Sequence, residues 1–163
     1  MSHLLPDEGT QRITAFLAHQ RTGILSISAS QSVWAIPVWF RLYSELPGSG
    51  SLEVDCLVPR WSDVAHYLTQ ESRVLFVVQA SSGVGLRWLQ IQGTARPSLT
   101  PEWAKLLPRW VSNVQPDRLY LVVRVRPSRI DLVDEELGWG VQATLDAASS
   151  WSPRSARAVT ERT

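Results

Sequence analysis

Apolar residues recur along this chain with two different periods. Over positions 7–20, Ile13, Phe16 and Leu17 fall three and four apart, the spacing of one helix face, and predict an opening helix. After Gly23 the pattern changes to short apolar and β-branched runs over 24–29, 33–42, 52–58, 73–80, 86–95, 119–125 and 130–133, each of strand length. The clearest is 119–125, where Leu121, Val123 and Val125 alternate with Tyr120, Val122 and Arg124. Ser30-Gln31-Ser32 marks a turn, and Leu46-Pro47-Gly48-Ser49-Gly50-Ser51 reads as a loop. Pro37 places the second run on a sheet edge or at a bulge, because proline cannot donate to a ladder. Two more helices are predicted: 62–70, with Ser62 as its cap and Asp63 in its first turn, and 101–111, with a proline in its first turn.

Six or seven strands and about three helices, not regularly interleaved, argue against a doubly wound parallel sheet. They predict a mainly β protein, a closed antiparallel barrel with peripheral helices. With 163 residues, 44% of them hydrophobic, the chain holds one well-cored domain, placed at 1–146. From 147 Ser, Arg, Thr and Ala take over, and 147–163 is expected to be a flexible tail. A net charge of +1, from 16 basic and 15 acidic residues, lacks the basic excess of a duplex-coating protein, so no nucleic-acid partner is expected. No apolar run approaches a membrane span and the polar first residues do not resemble a signal peptide, so a cytoplasmic location with no membrane partner is expected.

Self-contained catalytic sets are missing. Cys56 is the single cysteine, which excludes an intramolecular disulfide and a CxxC zinc site; in its apolar strand it reads as buried filler. His3, His19 and His66 lie far apart, so no metal is expected, and His66 reads as solvated or capping. Gly48-Ser49-Gly50 and Gly83-Val84-Gly85 do not extend to a dinucleotide or P-loop motif, and there is no GxSxG elbow. Asp134-Glu135-Glu136 reads as a solvated turn. Catalytic residues stay unassigned, and any redox chemistry falls to a cofactor. Two counts stand out: eight tryptophans, and fifteen arginines against one lysine, Lys105. A site that ordinarily uses lysine must find another cation here.

In order, the chain carries Gly23-Ile24-Leu25-Ser26-Ile27, then Ile36-Pro37-Val38-Trp39-Phe40, then Ser72-Arg73-Val74. Next come Ile91-Gln92-Gly93-Thr94-Ala95, then 125–133 (Val-Arg-Pro-Ser-Arg-Ile-Asp-Leu-Val), and Gly138-Trp139-Gly140. Over about 22–145 this resembles the pyridoxamine 5′-phosphate oxidase-like family of FMN-binding split barrels. The resemblance implies a six-stranded antiparallel split β-barrel that forms homodimers, with FMN in grooves between the subunits. Its members include flavin-dependent oxidoreductases acting on small molecules, binders of the deazaflavin F420 or of haem, and proteins with no known reaction.

Carried over residue by residue, the resemblance makes Val38 and Trp39, with Pro37 and Phe40, the segment lining the flavin. It sets Val58 where a threonine usually ends the third strand near the phosphate, and Val64 where a phosphate-binding lysine usually stands; Lys105 belongs to another helix. Arg60 and Ser62 are then the phosphate candidates, the guanidinium offering a bidentate fork. Arg87 matches the arginine of an Arg-Gln pair that opens a later strand, with Trp88 in place of the glutamine. Trp39, Trp61, Trp88 and Trp139 are candidates to stack on a planar ring, Trp139 from the partner subunit. The expected function is a flavin-dependent oxidoreductase. The alternatives are a non-enzymatic module of the same fold, with the site degraded or re-used for F420 or for haem ligated by His66, and a purely structural homodimer.

Overall fold

The computed structural model describes residues 8–43, 52–80, 85–108 and 115–146. Seven antiparallel strands are joined in the order β3-β2-β1-β4-β5-β6-β7, and a further pairing of β3 with β6 closes the first six into a barrel. The strands are β1 (Thr22–Ala29), β2 (Ser32–Tyr43), β3 (Glu53–Pro59), β4 (Arg73–Gln79), β5 (Arg87–Pro97), β6 (Tyr120–Asp134) and β7 (Val141–Asp146). The helices are α1 (Glu8–His19), α2 (Asp63–Tyr67), α3 (Trp103–Leu106) and α4 (Pro116–Leu119). The mainly β class and the six-stranded barrel expected from the sequence are both present. Among the described residues no helix is long and apolar enough to cross a membrane. The 46–51 loop and the 147–163 tail lie outside the described residues.

Strand alternation builds the core. Leu25 and Ile27 of β1, Val38 and Phe40 of β2, Val54, Cys56 and Val58 of β3, and Val74, Phe76 and Val78 of β4 all point inward. The β1–β2 hairpin turns on Ser30 and Gln31, both with positive φ (52° and 62°), the conformation that a two-residue turn needs. Pro37 pairs with Ile24 of β1, in the half of β2 that precedes its ladder with β3, which begins at Trp39. The barrel mouths are covered by helices. Ile13, Phe16 and Leu17 of α1 are buried, with the Phe16 ring 5.3 Å from the Arg87 guanidinium where β5 begins. Tyr67 of α2 stacks on Trp34 near the start of β2, ring centroids 5.2 Å apart.

Several elements differ from their sequence-based outlines. The runs at 119–125 and 130–133 are one strand, β6, continuous through Arg126-Pro127-Ser128-Arg129, with the register shift taken up opposite Gln92/Gly93 on β5. Gly93 makes this possible, because a Cβ there would run into the carbonyl oxygen of Arg126. β7 follows a Gly-rich turn that carried no strand signal. The helix at 62–70 spans only Asp63–Tyr67, with turns through residue 70, and the described part of that at 101–111 is helical over Trp103–Leu106, its last residues, 109–111, lying outside the described residues. The latter stops because Leu107 precedes Pro108 and takes extended angles (φ −78°, ψ 139°). Asp134-Glu135-Glu136 is not merely solvated. Asp134 is buried and salt-bridged to Arg87 (3.1 Å), and Glu135 accepts the amide hydrogen of Leu86 (2.8 Å), so the turn clasps the start of β5.

Candidate functional site

The residues singled out from the sequence fall into two groups on the barrel. Trp39 projects outward from β2, paired with Thr22 of β1 on one side and Leu57 of β3 on the other. There it joins a second, small apolar cluster with Leu57, Val122, Tyr120 and, from the α3 segment, Trp103, Leu106 and Leu107. Val38, one residue earlier, points the other way and is buried in the barrel core, so only its backbone faces the outer surface.

Three residues beyond Leu57, about 10 Å along an extended strand, lies Arg60. Its Nε donates to the Asp117 carbonyl of α4 (2.8 Å), and its Nη atoms make no further bond among the described residues. Ser62 is buried, and its hydroxyl is already engaged. It donates to the Pro59 carbonyl (2.7 Å) and accepts the Ala65 amide hydrogen (3.2 Å) as the cap of α2. Val58 and Val64 both lie in the core. The position matched to the phosphate lysine therefore faces the interior, where a lysine would bury its charge.

The second group stands three strands away. Continuing the register from Thr22 to Gln79 of β4 leads to Trp88 of β5, about 14 Å from Trp39 across the sheet. Trp88 is half-buried and pairs with Val133 of β6, which in turn pairs with Val141 of β7. Trp139, in the turn just before β7, is 96% exposed between Gly138 and Gly140, whose φ angles of 143° and 86° suit glycine. Arg87 alternates away from Trp88 toward the mouth under α1, where Asp134 holds it. Trp61, beside Arg60, is 83% exposed, and His66 is exposed on α2, its ring centroid 4.9 Å from that of Tyr67. Among the described residues no group of three or more His, Cys, Asp or Glu side chains is placed to hold a metal ion.

Reading the sequence missed what the fold does with the lone lysine. The α3 segment folds back on β2 and places Lys105 with Arg21, Trp39 and Arg41 around an outer-surface cavity of about 540 Å³. Arg41 donates to the Lys105 carbonyl, and the Lys105 ammonium pairs with Glu102. No local pattern relates residues 21, 41 and 105; the juxtaposition comes from the β1–β2 pairing and from the packing of α3. Here an aromatic wall and three cationic side chains share one recess of the size usual for small-molecule sites, about 300–1,000 Å³.

Fit to a flavin can be judged from these side chains. A planar ring has a wall at Trp39, and the Arg60 Nη atoms make no bond to a described residue. The candidate Ser62 caps α2, and Val58 and Val64, which the resemblance matches to a threonine and a lysine, lie in the core. The residues therefore fit a flavin held mainly by stacking and by arginine charge.

No protein-family model matches the chain, and no curated protein matches it. Its likeness is to solved structures. One is a protein from Clostridium acetobutylicum related to general stress protein 26, of the pyridoxinephosphate oxidase family (7% identity, TM-score 0.62, 88% of this chain and 99% of that one). Another is an FAD-binding protein from Mesorhizobium loti (14%, TM-score 0.55, 74% and 90%). A third is a haem-binding protein from Mycobacterium smegmatis (15%, TM-score 0.62, 90% and 61%). These similarities show a common fold, the split barrel expected from the sequence.

Proposed function

We propose that this split-barrel chain, built like the pyridoxamine 5′-phosphate oxidase-type proteins, works as a homodimeric flavin-binding oxidoreductase acting on a small molecule. The observation that carries the reading is the recess of about 540 Å³ beside Trp39 with cations at its rim. In this reading FMN lays its ring against Trp39. Arg60 meets its phosphate, while Arg21, Arg41 and Lys105 make the surrounding potential favourable to an anion. When bound, the flavin supplies two-electron hydride chemistry, and the chain orients the ring and neutralises the phosphate.

A second copy has a definite role here. Trp88 stands three strands from Trp39 within one chain, and the outer face of β2, β1 and β4 exposes Ala35, Pro37, Ile24 and Leu75. A dimer formed through this apolar face would bring one subunit's Trp88 and Trp139 toward the Trp39 recess of the other.

Titration of the purified full chain with FMN, followed by tryptophan fluorescence, tests the reading. Trp39→Ala and Arg60→Ala should each weaken binding about tenfold or more, the size of a lost ring contact or charge-assisted hydrogen bond. A protein that binds neither FMN, F420 nor haem sinks the cofactor reading. Haem binding abolished by His66→Ala would replace the flavin with the haem alternative.

A further inference from the structure

A second cavity, of about 420 Å³, opens on the outer face where β3, β6 and β5 lie side by side, lined by Glu53, Thr94, Arg96, Ser98, Arg124 and Arg126 among others. Strand register brings these residues together. Arg41, Asp55, Arg124 and Arg96 form one row across β2, β3, β6 and β5, and Arg126 faces Thr94 in the next. Two of the three arginines of the cavity have carboxylate partners. Arg124 holds Asp55 through two bonds of 2.9 and 3.1 Å and lies 3.4 Å from the Tyr43 ring centroid. Arg126 pairs with Glu53 at 2.9 Å, which also stands 3.9 Å from Arg124.

Arg96 makes no side-chain hydrogen bond or ion pair with any described residue. It sits directly across the ladder from Arg124, and like charges in that relation destabilise a sheet. Counting Asp55 behind Arg124 with the Glu53 of the lining, the three arginines exceed their described carboxylate partners by one, in an arrangement that an anion lying between them would relieve. Hydroxyl groups of Thr94 and Ser98 stand on the same wall.

We propose that this cavity binds a small molecule carrying a phosphate monoester, with the phosphate among Arg96, Arg124 and Arg126. Guanidinium forks match phosphate oxygens two at a time, and Arg124, fixed between Asp55 and Tyr43, is pre-positioned to do so. A volume of about 420 Å³ leaves room for an organic group beyond the phosphate. The site has none of its lining residues in common with the Trp39 recess, and it stands whether or not a flavin binds there.

Isothermal titration of the full chain at low salt with inorganic phosphate and glycerol 3-phosphate tests the proposal, with malonate as the carboxylate comparison. Arg96 and Arg126 are exposed, so Arg96→Gln and Arg126→Gln leave the core intact; each should weaken glycerol 3-phosphate binding at least about tenfold. Arg12→Gln, the same charge change on α1, and Trp39→Ala should each change it less than twofold. The proposal is overturned if wild-type protein ignores both phosphate probes at millimolar concentration, or if malonate binds as tightly as they do. It also fails if Arg12→Gln or Trp39→Ala weakens binding as much as Arg96→Gln.

Discussion

At Val64 a family likeness and the physics of the core meet in one side chain. The residue is 2% exposed on the inner face of α2, so the cation that a flavin phosphate would find there in a lysine-bearing relative cannot be supplied from this position. Restoring the residue type should therefore not restore the chemistry. Val64→Lys is expected to lower stability by about 3–5 kcal/mol, roughly 10 °C in melting temperature, without tightening FMN binding; a thermal melt beside the titration checks both. Cys56 shows burial acting on an acid. Its enclosure, reinforced by the neighbouring Asp55 carboxylate, pushes the thiol far above its ordinary value. The folded protein keeps the thiol protonated while the unfolded chain ionises it above about pH 8.5. Stability from this group is thus complete below that pH and is lost as pH rises beyond it. A thiol reagent at pH 8 should leave the native protein unmodified and label it on unfolding, and a melt at pH 10 should fall below one at pH 8.

Single elements are decided by constraints that act between strands. β6 runs unbroken through Pro127 because it carries the irregularity as one extra residue, Ser128, opposite the Gln92/Gly93 step of β5, where Gly93 lets the Arg126 carbonyl come close. Gly93→Ala forces backbone against a new methyl group, and should cost about 3 kcal/mol in a denaturant titration while leaving the secondary-structure content unchanged. Local composition made β6 look like two strands, since Arg-Pro-Ser-Arg is a turn-like sequence. The pairing of β6 with β5 and β7 overrides that preference. The third helix shows the reverse case, a local steric rule that wins: Pro108 ends α3 after one turn, and the shortened segment brings Leu106 and Leu107 onto Trp39 and Leu57.

At the scale of the whole molecule, the exposed apolar strip between the two tryptophan groups is the feature that a single chain leaves unexplained. Ile24 and Leu75 are 46% and 37% exposed on adjoining strands, and a second copy would cover them. In the dimeric reading, Ile24→Arg combined with Leu75→Glu should halve the mass measured by light scattering and weaken FMN binding, because the partner's tryptophans leave the recess. A wild-type chain that elutes as a monomer would refute the dimer.

The barrel was legible in the sequence because strand alternation and turn residues are local signals, and seven short runs of the right length allow few ways to bury their inner faces. Trp39 was singled out only by the family resemblance; its outward position between the inward Val38 and Phe40 comes from the folded β2. What required tertiary structure was everything that depends on register and on packing over long sequence separations. Arg21, Arg41 and Lys105 meet because β1 pairs with β2 and α3 folds back over them. Arg96 faces Arg124 because two strands align at one register out of several. Ser62 caps α2 and Val64 turns into the core because the helix needs a cap and a buried face. Periodicity reveals which side of an element is apolar, but only the closed sheet determines which distant side chains share a surface, since a shift of one residue in any ladder would turn each of them to the opposite face.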